Sequence, residues 1–161
     1  SHCRPQRHLS TMAANSDALT WLLLKNNSAF LTKRNGNTKR SGSITLSSEP
    51  GNLMNLNSAK YSGANNKAVD LSLVDDKIVL GLKSTKKWNQ VKKAVGKTPL
   101  NKNYRRSAKV IRSQIASNAY RADLEKAALA RYSSLYRFNR IKKGVVKTPK
   151  IKKGRKAAGQ A

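Results

Sequence analysis

Few side chains in this sequence could do acid–base, nucleophilic or metal chemistry, and their spacing does not favour it. The 161 residues include seven carboxylates, two histidines and one cysteine. His2, Cys3 and His8 lie near the N-terminus, where the further ligand that would complete a metal site is missing. Since the rest of the sequence has neither histidine nor cysteine, a general acid–base pair or an activated nucleophile would require carboxylates alone.

The adjacent carboxylates Asp75 and Asp76 are the one pair that could suggest a metal or catalytic dyad. They separate two alternating apolar runs, and aspartate favours turns because its side chain mimics a backbone turn. We therefore interpret the pair as the tip of a hairpin. The sequence predicts no catalytic residue, no metal site, no cofactor and no enzymatic activity; an RNA-modifying enzyme would also need a cofactor pocket.

The chemistry that the composition does favour is the binding of a polyanion. Lysine and arginine number 34 against 7 acidic residues, giving a formal net charge of +27. Residues 1–85 hold 11 basic and 5 acidic residues, whereas residues 86–161 hold 23 basic and 2 acidic. Because so large a charge opposes compaction of an isolated chain, nucleic acid is the first partner to expect.

The basic residues expected to contact phosphates lie in a polar loop, a lysine-rich segment, two helical segments and the C-terminal tail. They are Lys33, Arg34, Arg40, Lys86, Lys87, Lys92, Lys93, Arg105, Arg106, Arg112, Arg137, Arg140, Lys142 and Lys143. The loop Arg34–Ser43 could instead be only solubilising. Trp88 either covers the sheet against a helix, which we favour, or stacks on a base or sugar.

Two amphipathic helices are predicted within Asn101–Ile141, with a break near Asn118–Tyr120. Their apolar residues recur at three- and four-residue steps, while most basic residues lie off these stripes. Asn101 or Asn103 can cap the first helix, and two acidic residues suit the start of the second. The stripes consist of Tyr104, Ala108, Ile111 and Ile115, then of Leu124, Ala128, Tyr132, Leu135 and Phe138.

Strands are predicted upstream of these helices. Ala68–Lys83 alternates apolar and polar residues on either side of the Asp pair, which indicates a hairpin with one buried face. Residues 20–33 are interpreted as two short strands or a tight hairpin around two asparagines. Ser47–Leu53 is a Pro-Gly turn, and Asn55–Ala64 is expected to hold Tyr61 in a short strand.

The ends of the chain show no periodicity. We interpret residues 1–16 as a flexible extension, preferably upstream of a start at Met12 and alternatively a remnant of a targeting peptide. Residues 17–141 form a single RNA-binding domain, followed by a basic tail at 142–161. No apolar run approaches the roughly 20 residues of a membrane helix, so we expect a soluble intracellular chain without membrane contact.

Residues in one order along the chain carry a resemblance to a known family. The run from Trp21 through Ser28-Ala29-Phe30-Leu31 to Lys33-Arg34-Asn35 resembles the eukaryote-specific large-subunit ribosomal protein family numbered twenty-eight. Further matches are Ser48-Glu49-Pro50, Asn52-Leu53, Asn57-Ser58, Tyr61, Gly63, Asn101-Lys102-Asn103, Ile111-Arg112, Tyr120-Arg121, Asp123-Leu124 and Ala127-Ala128. The resemblance covers about residues 19–141.

This resemblance implies an α+β fold, with a small, mostly antiparallel sheet, two helices packed on one face, and a basic tail ordered only along RNA. It implies a structural constituent of the cytosolic large subunit, on its solvent-facing side, with nucleolar assembly. The implied partners are ribosomal RNA with its expansion segments and neighbouring ribosomal proteins, without homo-oligomerisation. Departures from the family are residues 1–16, a longer loop at Arg34–Ser47, and Glu125 and Ala130 in place of arginines.

Two other functions would produce a similarly basic sequence. One is a trans-acting ribosome-assembly factor. A biogenesis factor with the same N-terminal fold carries cysteines within its domain and a long acidic C-terminal region, and this chain has neither feature. The other is a chromatin-type DNA-binding protein. Either would be substoichiometric and absent from translating polysomes.

Overall fold

The computed structural model describes residues 16–147, except Asn35, Asn37, Lys39, Ser41, Trp88, Asn89 and Val91. The predicted N-terminal extension (apart from Ser16), most of the basic tail and the alternatives for Trp88 therefore lie outside the described residues. The described residues form three α-helices: α1 (Asp17–Leu24), α2 (Tyr104–Arg112) and α3 (Glu125–Lys142). The same residues form five strands: β1 (Leu31–Arg34), β2 (Ile44–Ser47), β3 (Val69–Val74), β4 (Lys77–Lys83) and β5 (Val95–Pro99).

The strands divide between two antiparallel sheets. β1 and β2 form a two-stranded sheet, and β3, β4 and β5 form a three-stranded sheet with β4 in the centre. The predicted α+β class and antiparallel pairing are confirmed. The structure has two sheets instead of the single sheet that we expected, because the polar segment between β2 and β3 separates the two groups of strands.

The β3–β4 hairpin forms as predicted from its alternating pattern. Val74 pairs with Lys77, so Asp75 and Asp76 form a two-residue turn with φ angles of 47° and 59°. Positive φ at both central positions is the geometry of a type I′ turn, whose twist matches that of the flanking strands. The two carboxylates therefore serve the turn.

One face of this hairpin forms the floor of the core, and α2 and α3 cover it. Val69, Leu71, Ile78 and Leu80 are at most 4% exposed, and they pack with residues from both helices. The helical stripe residues that are fully or nearly fully buried are Ile111, Ile115, Leu124, Ala128 and Tyr132. The predicted stripes are thus confirmed over most of their length.

The predicted stripe is wrong at its end, because Phe138 is 56% exposed. Four-residue steps from Tyr132 lead to Tyr136, which packs against the core instead. Two further residues rotate the side chain by about 200°, which carries Phe138 away from the sheet.

The junction between the helices has the predicted break. A π turn at Ser113–Ser117 ends α2, Ala119 has a φ of 49°, and a 3-10 turn at Ala122–Leu124 leads into α3. The Tyr120 hydroxyl lies 2.6 Å from the Lys83 carbonyl oxygen and 3.1 Å from that of Ala68. These contacts fix the break over the open end of the hairpin.

Two other predicted boundaries are confirmed. Asn103 caps α2, since its Oδ1 accepts a hydrogen bond from the Arg106 amide at 3.0 Å. Gly51 in the predicted Pro-Gly turn has a φ of 83°, a conformation that glycine adopts without a Cβ clash.

The prediction of strands throughout residues 20–33 is wrong for its first half. Asp17–Leu24 is a helix, and only Leu31–Arg34 is a strand. A short apolar run has no decisive periodicity, and leucine favours helices intrinsically. No residue of α1 is buried, so its sequence carries neither the alternation of a half-buried strand nor the one-sided apolar pattern of a core-facing helix.

The predicted strand around Tyr61 is also wrong. Tyr61 lies in a turn, and Leu56 contributes only an isolated bridge to Leu46. Asparagine side chains bond to the local backbone instead: Asn52 Nδ2 donates to Leu56 O, and Asn65 Nδ2 donates to Ala59 O, each at 2.8 Å. Such bonds compete with a strand ladder.

We predict that Gly63→Ala destabilises the protein by about 3 kcal/mol, because a Cβ there would overlap the Pro50 carbonyl oxygen. Gly96→Ala is the matched control, since its nearest neighbour would be 3.7 Å away. Urea unfolding followed by circular dichroism measures both changes. Equal midpoints for the two variants would contradict the close approach of these turns.

Candidate nucleic-acid interface

A concentrated basic surface in the described part of the chain is the outer side of α2. Arg105, Arg106, Lys109 and Arg112 are exposed, whereas Ile111 on the opposite side is fully buried. Lys102 precedes the helix on the same side, and together these five basic residues are called the α2 basic face. The amphipathic pattern thus directs one side to the core and the other to solvent.

Two open grooves run along this face on either side of Lys109. One, of about 340 Å³, is lined by Lys102, Arg106, Lys109, Val110, Ser113 and Gln114. The other, of about 520 Å³, is lined by Tyr104, Arg105, Ala108, Lys109, Arg112, Ser113 and Ser117. Grooves lined by fixed cations and hydroxyls suit phosphate oxygens, which accept hydrogen bonds from both.

All fourteen predicted contact residues are exposed, but the structure groups only some of them. Arg105, Arg106 and Arg112 share the α2 basic face. Lys33 and Arg34 lie on β1, and Arg40 lies in the following loop. The remaining residues occupy the segment before β5 or the end of α3: Lys86, Lys87, Lys92, Lys93, Arg137, Arg140, Lys142 and Lys143.

Two of the predicted contacts are already paired within the chain. Arg112 Nε donates to Glu125 Oε1 at 2.8 Å, and Lys142 Nζ lies 2.6 Å from Asp76 Oδ1. The hydrogen bond and charge of Lys142 lower the pKa of Asp76. Glu125 therefore links α3 to α2, and Arg112 and Lys142 carry less free charge than predicted.

The predicted contact set leaves out two members of the face, Lys102 and Lys109. Lys109 follows Arg105 and Arg106 by four and three residues, a spacing that places all three on one side of a helix. The helical periodicity therefore places Lys109 off the apolar stripe with the arginines, and it belongs in the set. Lys102 carries no such signal, since it lies outside the helix and is placed by the Leu100–Asn103 connection.

Arg121 shows that a basic residue in this chain can be purely structural. Its guanidinium bonds both carboxylate oxygens of Asp123 at 2.8 and 2.9 Å, and donates to the carbonyls of Lys67 and Lys60 at 2.9 Å. The paired groups raise the pKa of Arg121 and lower that of Asp123, chiefly through their hydrogen bonds. Arg121 ties the segment before β3 to the start of α3.

Within the described residues, no group of three histidine, cysteine or acidic side chains is placed to hold a metal ion. None of the helices described is both long and apolar enough to cross a bilayer.

Comparison with known proteins assigns the sequence of this chain to a family. The model of the Ribosomal L28e protein family matches residues 19–138. This chain belongs to the Ribosomal L28e protein family. The prediction made from residues 19–141 is therefore confirmed, and the match includes both sheets and α2 together with most of α3.

Relatives named large ribosomal subunit protein eL28 align with most of this family member. The protein of Dictyostelium discoideum is 38% identical over 72% of this chain and 83% of the relative. The protein of Caenorhabditis elegans is 37% identical over 76% of this chain and 89% of the relative. The protein of Schizosaccharomyces pombe is 32% identical over 74% of this chain and 90% of the relative.

We predict a pH-dependent cost of Asp123→Asn, because a lowered carboxylate pKa in the folded state stabilises the fold only while the group is ionised. At neutral pH the variant should lose about 0.5–1 kcal/mol, a modest value because the pair is partly exposed. The difference in unfolding free energy between the two proteins should be complete above the pKa that Asp123 has in the unfolded chain. It should shrink as the pH falls through the lower pKa of Asp123 in the folded protein. Urea titrations of both proteins at several pH values measure it; a pH-independent difference would contradict this assignment.

Proposed function

We propose that this chain is a structural constituent of the large subunit of the cytosolic ribosome, where it binds and stabilises ribosomal RNA. The observation that carries the proposal is the α2 basic face, whose cations lie opposite a fully buried core face. The names of the three relatives support the subunit assignment.

The proposed mechanism is phosphate neutralisation by positioned cations. Lysine and arginine side chains that meet phosphates release condensed counterions, which makes binding favourable and salt-dependent. Because the cations sit on a folded helix rather than a loose chain, their spacing is set before RNA arrives. Selectivity then follows from RNA shape and single-stranded elements more than from a base code.

The fourteen predicted residues form the proposed contact set, to which Lys102 and Lys109 are added. Arg105 and Arg106 are the leading members, because neither is in one of the ion pairs found among the described residues. Arg112 and Lys142 contribute only if RNA competes with their carboxylates. The proposed partners extend to expansion segments and neighbouring ribosomal proteins, with one copy per subunit and assembly in the nucleolus.

We predict that the chain sediments with large subunits and translating polysomes in equal amount to other large-subunit proteins. Quantitative mass spectrometry across a sucrose gradient measures this ratio. A trans-acting assembly factor has the same charge but leaves before translation. Restriction to nuclear precursor particles, or absence from polysomes, would replace our proposal with that alternative.

We predict that Arg105→Gln with Arg106→Gln weakens binding of the full chain to ribosomal RNA and flattens its salt dependence. The slope of log affinity against log salt should fall by about 0.9 for each duplex phosphate that the variant no longer neutralises. Filter binding across a salt series measures it.

The matched control is Lys60→Gln with Lys67→Gln, which removes the same charge beside the aromatic rings of Tyr61 and Tyr120. If both pairs of substitutions have equal effects, only net charge matters and the α2 basic face is not the interface.

A further inference from the structure

Another cavity lies at the tip of the β3–β4 hairpin, beyond Lys102 from the first α2 groove. Its volume is about 380 Å³, within the roughly 300–1,000 Å³ range of small-ligand sites. Three parts of the chain line it: the hairpin tip at Asp76–Ile78, the connection Leu100–Lys102, and the last turns of α3. We call it the tip cavity.

The rim of the tip cavity is positively charged. Lys77, Lys102 and Lys143 are exposed there, and none of the ion pairs in the described part of the chain involves them. Lys143 Nζ lies 3.4 Å from the Asp76 carbonyl oxygen, a neutral acceptor that leaves its charge uncompensated. The one carboxylate in the lining, that of Asp76, is held by Lys142 at 2.6 Å. The rim therefore favours an anionic ligand, since no unpaired acid is among the residues that line the cavity.

The floor of the tip cavity is aromatic and apolar. Tyr132 and Tyr136 line it with ring centroids 6.1 Å apart, together with Ile78 and Leu100. Packing fixes Tyr132, which is 1% exposed and stacks on Tyr104 at 5.3 Å. A ligand that combines an anionic group with a flat ring matches both the rim and this floor.

Asn139 connects two walls of the tip cavity. Its Nδ2 donates to the Asp76 carbonyl at 2.9 Å, which fixes the amide orientation because a flipped amide would place two oxygens together. Its Oδ1 is buried and therefore closed to a ligand. Asn139 thus holds the hairpin tip against α3 and does not itself bind the ligand.

We propose that the tip cavity binds a single unpaired RNA nucleotide, with its phosphate on the rim lysines and its base against Tyr136. This proposal rests on the proposed function, because ribosomal RNA supplies the nucleotide. It adds a base-stacking site to the phosphate contacts of α2. Unstacked bases bound on aromatic rings are a common mode of single-strand recognition.

The test uses the full chain and two probes: a short ribose–phosphate strand carrying one adenine, and the same strand with no base. Binding should be roughly 5- to 100-fold tighter with the base, the range expected for stacking on an aromatic ring. This comparison changes only the ligand, so protein folding does not affect it.

Variants assign the preference to the cavity. Tyr136→Leu should abolish it, Tyr136→Phe should retain it, and Phe138→Leu, a matched aromatic control exposed on the same helix, should leave it unchanged. Lys86→Gln with Lys87→Gln should weaken both probes equally and preserve their ratio. Equal binding of both probes, no binding of either, or a preference that follows Phe138 would overturn the proposal.

Intact large subunits provide a second test. A carbodiimide forms amide bonds between lysines and carboxylates in direct contact, so it detects a protein occupant. A crosslink from Lys102 or Lys143 to another ribosomal protein would overturn the nucleotide assignment. The outcomes for the proposed function differ: if Arg105→Gln with Arg106→Gln weakens RNA binding but no adenine preference exists, only the tip cavity is wrong. Absence from polysomes instead refutes the ribosomal role.

Discussion

The structure depends on burial of one face of the β3–β4 hairpin beneath α2 and α3. Val69, Leu71 and Leu80 supply that face, and Ile111 and Ile115 close over it almost without exposure. Because the hairpin has a single apolar face, the apolar stripes of the two helices can be buried only by facing it. Since the basic residues of α2 lie on the other side, the packing that stabilises the fold also places the cations in solvent.

The high charge is the main force opposing this packing. A net charge of +27 repels itself, and the chain has only seven acidic residues to offset it. Three of them form ion pairs in the described structure, and each pair joins separate elements or fixes a junction: Arg112–Glu125, Arg121–Asp123 and Lys142–Asp76. The acids thus stabilise contacts that surround the core, while most cations stay uncompensated. Phosphate would relieve their repulsion, which couples stability to RNA binding.

Periodicity carried most of what could be predicted about the fold. The hairpin, its turn, the Asn103 cap, the helical stripes and the break near Ala119 all have local signals, and these elements form as expected. The errors fall where local signals are weak or tertiary context decides. The α1 segment has no buried side, so its leucines lacked a pattern, and asparagine bonds between β2 and β3 replaced the strand expected around Tyr61.

The same limit applies to the function of individual basic residues. Composition indicates a polyanion partner, but it cannot distinguish Arg121, whose guanidinium is occupied by Asp123 and two carbonyls, from Arg106, which is exposed on α2. The partners of a side chain decide its role, and those carbonyls come from segments more than fifty residues away. The tip cavity follows the same principle. Lys77, Lys102 and Lys143 share no pattern in the sequence, and only the fold places them around two tyrosines.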